Sequence, residues 1–121
     1  MPARAESLEA LFAAIDDMDS RAFVRFLAKD AEFRFGSAPA VTGRHAIQAA
    51  VDGFFASIAG VSHRIDGMFS ASNALACEGE VTYTRHDGSK VVLPFADVFE
   101  FDDELISNYK IYIDIAPLYT G

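Results

Sequence analysis

The sequence predicts an α+β fold in which helices pack on one antiparallel sheet. Apolar residues recur at three- and four-residue steps up to Gly60, then at every second residue beyond it. The period-two half is broken by short turn-forming clusters such as Asp87–Gly88, the pattern of a hairpin meander. The 121 residues suit a single domain, taken as 1–121, that can bury a sizeable core.

Each element follows from its own signals. Leu8, Leu11, Phe12, Ile15 and Met18 mark an amphipathic helix over roughly 6–18. Asp19 or Ser20 caps a second, short helix with Phe23, Phe26 and Leu27 on one face. Residues 31–35 read as a short strand. The stretch 36–43, with Pro39 and a glycine at each end, reads as a loop. Thr42 caps a third helix whose stripe is Ile47, Ala50, Val51, Phe54, Phe55 and Ile58, and Gly60 stops it. Four strands are expected near 62–70, 74–85, 90–101 and 105–116, with turns at 70–73, 87–88 and 102–104.

Composition narrows the function. A net charge of −8 repels phosphate backbones, which argues against nucleic-acid binding. The single cysteine, Cys77, cannot form an internal disulfide, and no metal-ligand spacing occurs, so neither a metal nor a cofactor is expected. No apolar run reaches the ~18 residues of a membrane span, and no signal-peptide pattern is visible. The expected location is therefore cytoplasmic. Hydrophobic content of 51% with eleven Phe and no Trp suggests a Phe-rich core or cavity wall. It also suggests some apolar surface covered by another subunit.

The turns propose a register, and the register gathers a site. If Asp87–Gly88 is a two-residue loop, Glu80 lies opposite Phe95, Glu78 opposite Asp97 and Thr82 opposite Leu93. If the next loop pairs Phe101 with Ile106, Asp97 faces Lys110, Phe95 faces Tyr112 and Leu93 faces Asp114. One face then carries Glu78, Glu80, Thr82, Leu93, Phe95, Asp97, Lys110, Tyr112 and Asp114, the mixture of a ligand pocket. The other carries Cys77, Val81, Tyr83, Val92, Ala96, Val98, Tyr109, Ile111, Ile113 and Ile115. So apolar a face predicts a homodimer through the outer sheet face.

The candidate catalytic residues are Asp114, Asp97 and Glu80. Asp97 sits among Leu93, Phe95, Phe99 and Phe101 on one side of its strand, where a carboxylate must be hydrogen-bonded, paired or protonated. It is either an acid of raised pKa or the ion-pair partner of Lys110. Asp114 is either a cavity group or the cap of the turn before Pro117. Glu80 either shares a water with Asp114 or is a solvated strand residue. Tyr112, Phe95, Thr82, Leu93 and Phe54 are expected to bind the ligand. His63, the one histidine on an inward-looking strand, is either a pocket group or a satisfied structural residue.

The chain resembles the nuclear transport factor 2-like superfamily in its SnoaL-like branch. The residues that carry the resemblance are Phe12–Asp16, Phe26–Ala31, Thr42–Ile47, Gly79–Tyr83, Asp97–Phe101 and Tyr109–Asp114. The resemblance implies three helices on a strongly curved antiparallel sheet wrapped into a cone with an internal pocket. It also implies relatives such as ketosteroid isomerase, polyketide cyclases, epoxide hydrolases, dehydratases and binding modules. Asp97 matches the oxyanion-binding aspartic acid of ketosteroid isomerase. The tyrosine and base positions are Leu11 and Phe35 here, which disfavours that mechanism. Asp114 and Glu80 match the two aspartates of limonene-type epoxide hydrolase, but the arginine between them is replaced by Glu78.

The implied function is a cofactor-independent isomerase, cyclase, dehydratase or hydrolase. Its substrate is a small, largely apolar oxygenated molecule, and its chemistry is carboxylate acid–base catalysis. The alternative is a non-catalytic module of the same fold that binds a small ligand or dimerises.

Overall fold

The computed structural model describes residues 2–120, with side chains from Glu6 onward. The elements are α1 (Pro2–Asp16), α2 (Ser20–Val24), β1 (Leu27–Phe35), β2 (Val41–Thr42), α3 (Arg44–Ala56), β3 (Gly60–Ser70), β4 (Ala74–Thr84), β5 (Lys90–Asp102), β6 (Leu105–Tyr112) and α4 (Ala116–Tyr119). Six strands form one open sheet in the order β2-β1-β6-β5-β4-β3. The helices lie against one face of this sheet. Phe12 of α1 meets His63 of β3 at 4.9 Å between ring centroids, and Phe54 of α3 meets Phe35 of β1 at 4.8 Å.

The expected α+β order is present, with local differences that have physical causes. Asp19 is the cap of α2, accepting a hydrogen bond from the Ala22 N–H at 3.0 Å. Leu27 belongs to β1 rather than to the second helix, and β1 pairs in parallel with β6. Thr42 does not cap α3: it pairs with Glu32 in the short strand β2, and Gly43 takes the cap position with no side-chain bond. The last strand ends at Tyr112, and a short helix over Ala116–Tyr119 follows.

Two single-residue offsets reset the register of the meander. At the β4–β5 turn, the Gly88 N–H donates to the Arg85 carbonyl at 2.9 Å and the Arg85 N–H donates to Ser89 at 2.8 Å. The loop therefore holds three residues, His86, Asp87 and Gly88, and Gly88 adopts φ +89°, which glycine reaches without steric cost. An odd loop moves the pairing by one, so Glu80 lies opposite Pro94 and Cys77 opposite Asp97.

At the β5–β6 hairpin, Phe101 pairs with Ile106 as expected. A bulge at Ser107 then pairs Glu100 with Asn108, Asp97 with Ile111 and Val98 with Lys110. Each offset turns a whole strand over. Val81, Tyr83, Tyr109, Ile111 and Ile113 consequently face the same interior as Phe95 and Asp97. The expected assignment of these residues and Cys77 to an outer apolar face is corrected.

Candidate functional site

Between the helices and the concave side of the sheet lies a cavity of about 210 Å³. Phe23 of α2, Phe33 and Phe35 of β1, and Phe54 and Phe55 of α3 form much of its wall. Among the described lining residues the polar side chains are those of His63, Tyr83, Asp97 and Tyr109, and none is Lys or Arg. Ala38, Pro39 and Ala50 also line it and are exposed, which places the mouth between the β1–β2 loop and α3.

Asp97 sits in the interior, 1% exposed. The sheet positions it between Cys77 on β4 and Ile111 on β6. Its Oδ2 accepts a hydrogen bond from the Tyr109 hydroxyl at 3.2 Å. Its Oδ1 is buried without a hydrogen-bond partner. Burial pushes the Asp97 pKa up to about 8, against a smaller downward pull from the Tyr109 hydroxyl. At neutral pH the group is mainly a neutral carboxylic acid, and as one it carries an O–H donor. No ion pair with Lys110 forms, since Lys110 lies opposite Val98 on the other side of the sheet. Burial and the nearby Asp97 also push the Cys77 thiol up to about 12, so Cys77 is inert packing.

Tyr109 is held by an aromatic cluster. Its ring lies 4.4 Å from Phe99, 5.4 Å from Phe33 in an edge-on contact and 6.0 Å from Phe23. These contacts fix the hydroxyl on Asp97. Burial and then Asp97 push the Tyr109 pKa well upward, so the phenol stays protonated and donates.

His63 forms the second polar station. Asp16, the last residue of α1, takes its Nδ1 at 2.7 Å through Oδ1 and its backbone N–H at 3.1 Å through Oδ2. A carboxylate only accepts, so Nδ1 carries the proton of this bond, which leaves Nε2 as the ring nitrogen that carries the lone pair whenever the imidazole is neutral. Phe12 and Phe95, at 4.9 and 5.2 Å, hold the ring. Phe95 is two residues from Asp97 on the same face of β5, so the imidazole and the buried carboxyl border the same space.

The predicted site residues separate accordingly. Asp97, Phe95, His63 and Phe54 line the cavity. Leu93 is buried in the core. Glu80, Thr82, Tyr112 and Asp114 are not brought to the cavity. Glu80 pairs with Arg64 at 3.1 Å, and Tyr112 is 56% exposed. Thr82 pairs with the exposed Val92. Asp114 accepts a bond from the Ala116 N–H at 3.1 Å, which makes it the cap of the following turn. Asp16, Tyr83 and Tyr109 were missed. Asp16 closes an i, i+4 step from Phe12, a signal that α1 turns it toward the same side, whereas the two tyrosines depended on the register. Among the described residues no group of three His, Cys, Asp or Glu side chains is placed to hold a metal ion.

The family model for the SnoaL-like domain matches residues 8–109. Solved structures of similar shape include a nuclear transport factor 2-like protein of unknown function from Burkholderia pseudomallei. It is 16% identical, with a TM-score of 0.88 over 98% of this chain and 95% of that one. A putative SnoaL-like polyketide cyclase from Jannaschia is 15% identical, with a TM-score of 0.84 over 98% and 90%. An LEH-like epoxide hydrolase from M. tuberculosis is 17% identical, with a TM-score of 0.81 over 98% and 87%. At these identities the likeness establishes the fold alone. No curated protein sequence matches.

Proposed function

Since the chain belongs to the SnoaL-like domain family, we propose that it is a cofactor-independent acid–base enzyme acting on a small, largely apolar, oxygenated molecule. One observation carries this reading. A buried carboxyl with an unpartnered oxygen and a carboxylate-backed imidazole border one aromatic cavity.

In this reading His63 Nε2 removes a proton from the substrate, and Asp16 holds the ring and offsets its positive charge. Asp97 donates a hydrogen bond from its carboxyl to the substrate oxygen on which negative charge develops, with Tyr109 behind it. A dry site strengthens both interactions. The chemistry is that of isomerisation, cyclisation or dehydration, in which a proton moves beside an oxygen. Hydrolysis through Glu80 and Asp114 is less well supported, because both point away from the cavity.

The test is a turnover screen of small cyclic ketones, hydroxyketones and epoxides with the wild-type chain, His63→Gln and Asp97→Leu, which removes the donor. Loss of ~10²-fold or more in kcat for both variants is expected. Tight binding with no turnover of any compound supports the alternative, a non-catalytic ligand-binding module.

A second proposal concerns assembly. Phe69, Val92 and Tyr112 are 61%, 54% and 56% exposed on the convex side of the sheet. We infer that two copies pack through this face. No described helix is long and apolar enough to cross a membrane.

A further inference from the structure

Asp16 borders two spaces. Its partner His63 lines the cavity, whereas Asp16 itself lines a separate groove between α1 and β3, with Glu9, Ala13, Ile65 and Met68. The Asp16 side chain is 31% exposed and that of His63 only 10%. The pair thus spans the wall between the interior and solvent. The mouth offers a proton no comparable way out. Its exposed lining residues Ala38, Pro39 and Ala50 present no side-chain polar atom to support a water chain, and a bound substrate would block it. The groove and the cavity share no lining residue, so a ligand held in the cavity does not occupy the groove.

Resting on the acid–base reading above, we propose that Asp16 is the outlet of a proton path, through which His63 exchanges protons with solvent by way of the α1–β3 groove. The steps balance. The His63 Nε2 lone pair takes a substrate proton, and the electron pair of the broken bond stays on the substrate. The imidazolium passes its Nδ1 proton to Asp16 Oδ1, leaving that N–H pair on nitrogen. The Asp16 carboxyl then gives the proton to water in the groove. The reverse sequence reloads the ring. Glu9, the other carboxylate in the groove, favours a positively charged proton carrier there. Asp16 is in this scheme a positioning and relay residue, without contact to the substrate.

The test follows the His63 ring N–H in the full ¹⁵N-labelled chain, with exchange against water measured by NMR with and without saturating cyclohexanone. Cyclohexanone binding, read from the Phe95 and Asp97 signals, shows that the probe fills the cavity, and the turnover screen above tests the acid–base reading separately. Ala13→Trp and, independently, Met68→Trp fill the groove from its two walls, whereas Ala50→Trp narrows the mouth. Exchange that persists with the probe bound, slows about fivefold or more in either groove variant and stays within about twofold in Ala50→Trp is expected. Slowing in Ala50→Trp or with cyclohexanone, while the groove variants match wild type, overturns the path and leaves the proposed chemistry standing. Equal rates in all variants also overturn it, because exchange then proceeds by general opening of the fold.

Discussion

At the scale of single residues, Asp97 places a charge-sensitive group at the centre of the core. Its carboxyl is pushed up to about 8 by burial, whereas an unfolded chain releases that proton near 4. The folded state therefore holds a proton that the unfolded state loses across this interval. The resulting stabilisation is complete below pH ~4 and declines by up to ~1.4 kcal/mol per pH unit as the pH rises toward 8. Asp97→Asn keeps the shape and removes the titration. Urea unfolding at pH 5 and pH 8 should show the Asn variant gaining on wild type by on the order of a few kcal/mol at the higher pH. A constant difference would mean that the group titrates as it does in water. Tyr109→Phe removes the hydroxyl that pulls the Asp97 pKa downward. It should raise that pKa further in a carboxyl NMR titration and cost ~1–3 kcal/mol at pH 5, where the freed oxygen stays buried.

At the scale of elements, the site depends on strands held to within one residue. Gly79 shows how tightly β3 and β4 approach. A Cβ there would lie 1.8 Å from the Arg64 carbonyl oxygen, a contact relieved only by moving backbone. Gly79→Ala should lower stability by ~2–4 kcal/mol and displace His63, which neighbours Arg64. Thermal unfolding, with the His63 ring shift as a second readout, checks this. A variant as stable as wild type would show that the strand parts easily there.

The same sensitivity explains what the sequence left hidden. The amphipathic stripes of α1 and α3, the Asp97 strand and the meander were legible because periodicity encodes them directly. The partners of Asp97 were not. Asp–Gly suits a two-residue hairpin, but the turn adopted uses three residues with Gly88 at φ +89°. Nothing in the composition of β6 marks a bulge at Ser107. Each offset alone turns a strand over, so Glu80, Tyr112 and Asp114 exchanged places with Val81, Ile111 and Ile113. Asp97 was found because its own strand alternates whatever its neighbours do.

At the scale of the whole molecule, the sheet has two surfaces to satisfy. The concave one is covered by helices and encloses the cavity. The convex one runs from Phe69 through Ala76 and Val98 to Lys110 in one row, and from Glu78 through Ala96 to Tyr112 in the next. Arg34 lies directly opposite Lys110, an arrangement of like charges that a neighbouring anion would relieve. On this face Arg34 and Lys110 form a cationic pair, with Glu32 and Glu100 in the next row, Glu78 on β4, and Val92 and Tyr112 exposed between. A two-fold axis parallel to the strands would bring the Arg34–Lys110 pair of each copy toward Glu78 of the other and bury the apolar middle. A stable interface of this kind buries on the order of 1,200–2,000 Å² in total. Sedimentation equilibrium at micromolar concentration should give twice the 13.1 kDa chain mass. Tyr112→Glu, which adds charge to the exposed middle, should shift the mass toward a monomer while leaving cyclohexanone binding in place. High salt should weaken the association only in part, because its centre is apolar. A wild-type chain that sediments at 13.1 kDa throughout, or a Tyr112→Glu dimer as tight as wild type, would remove the convex face as the interface.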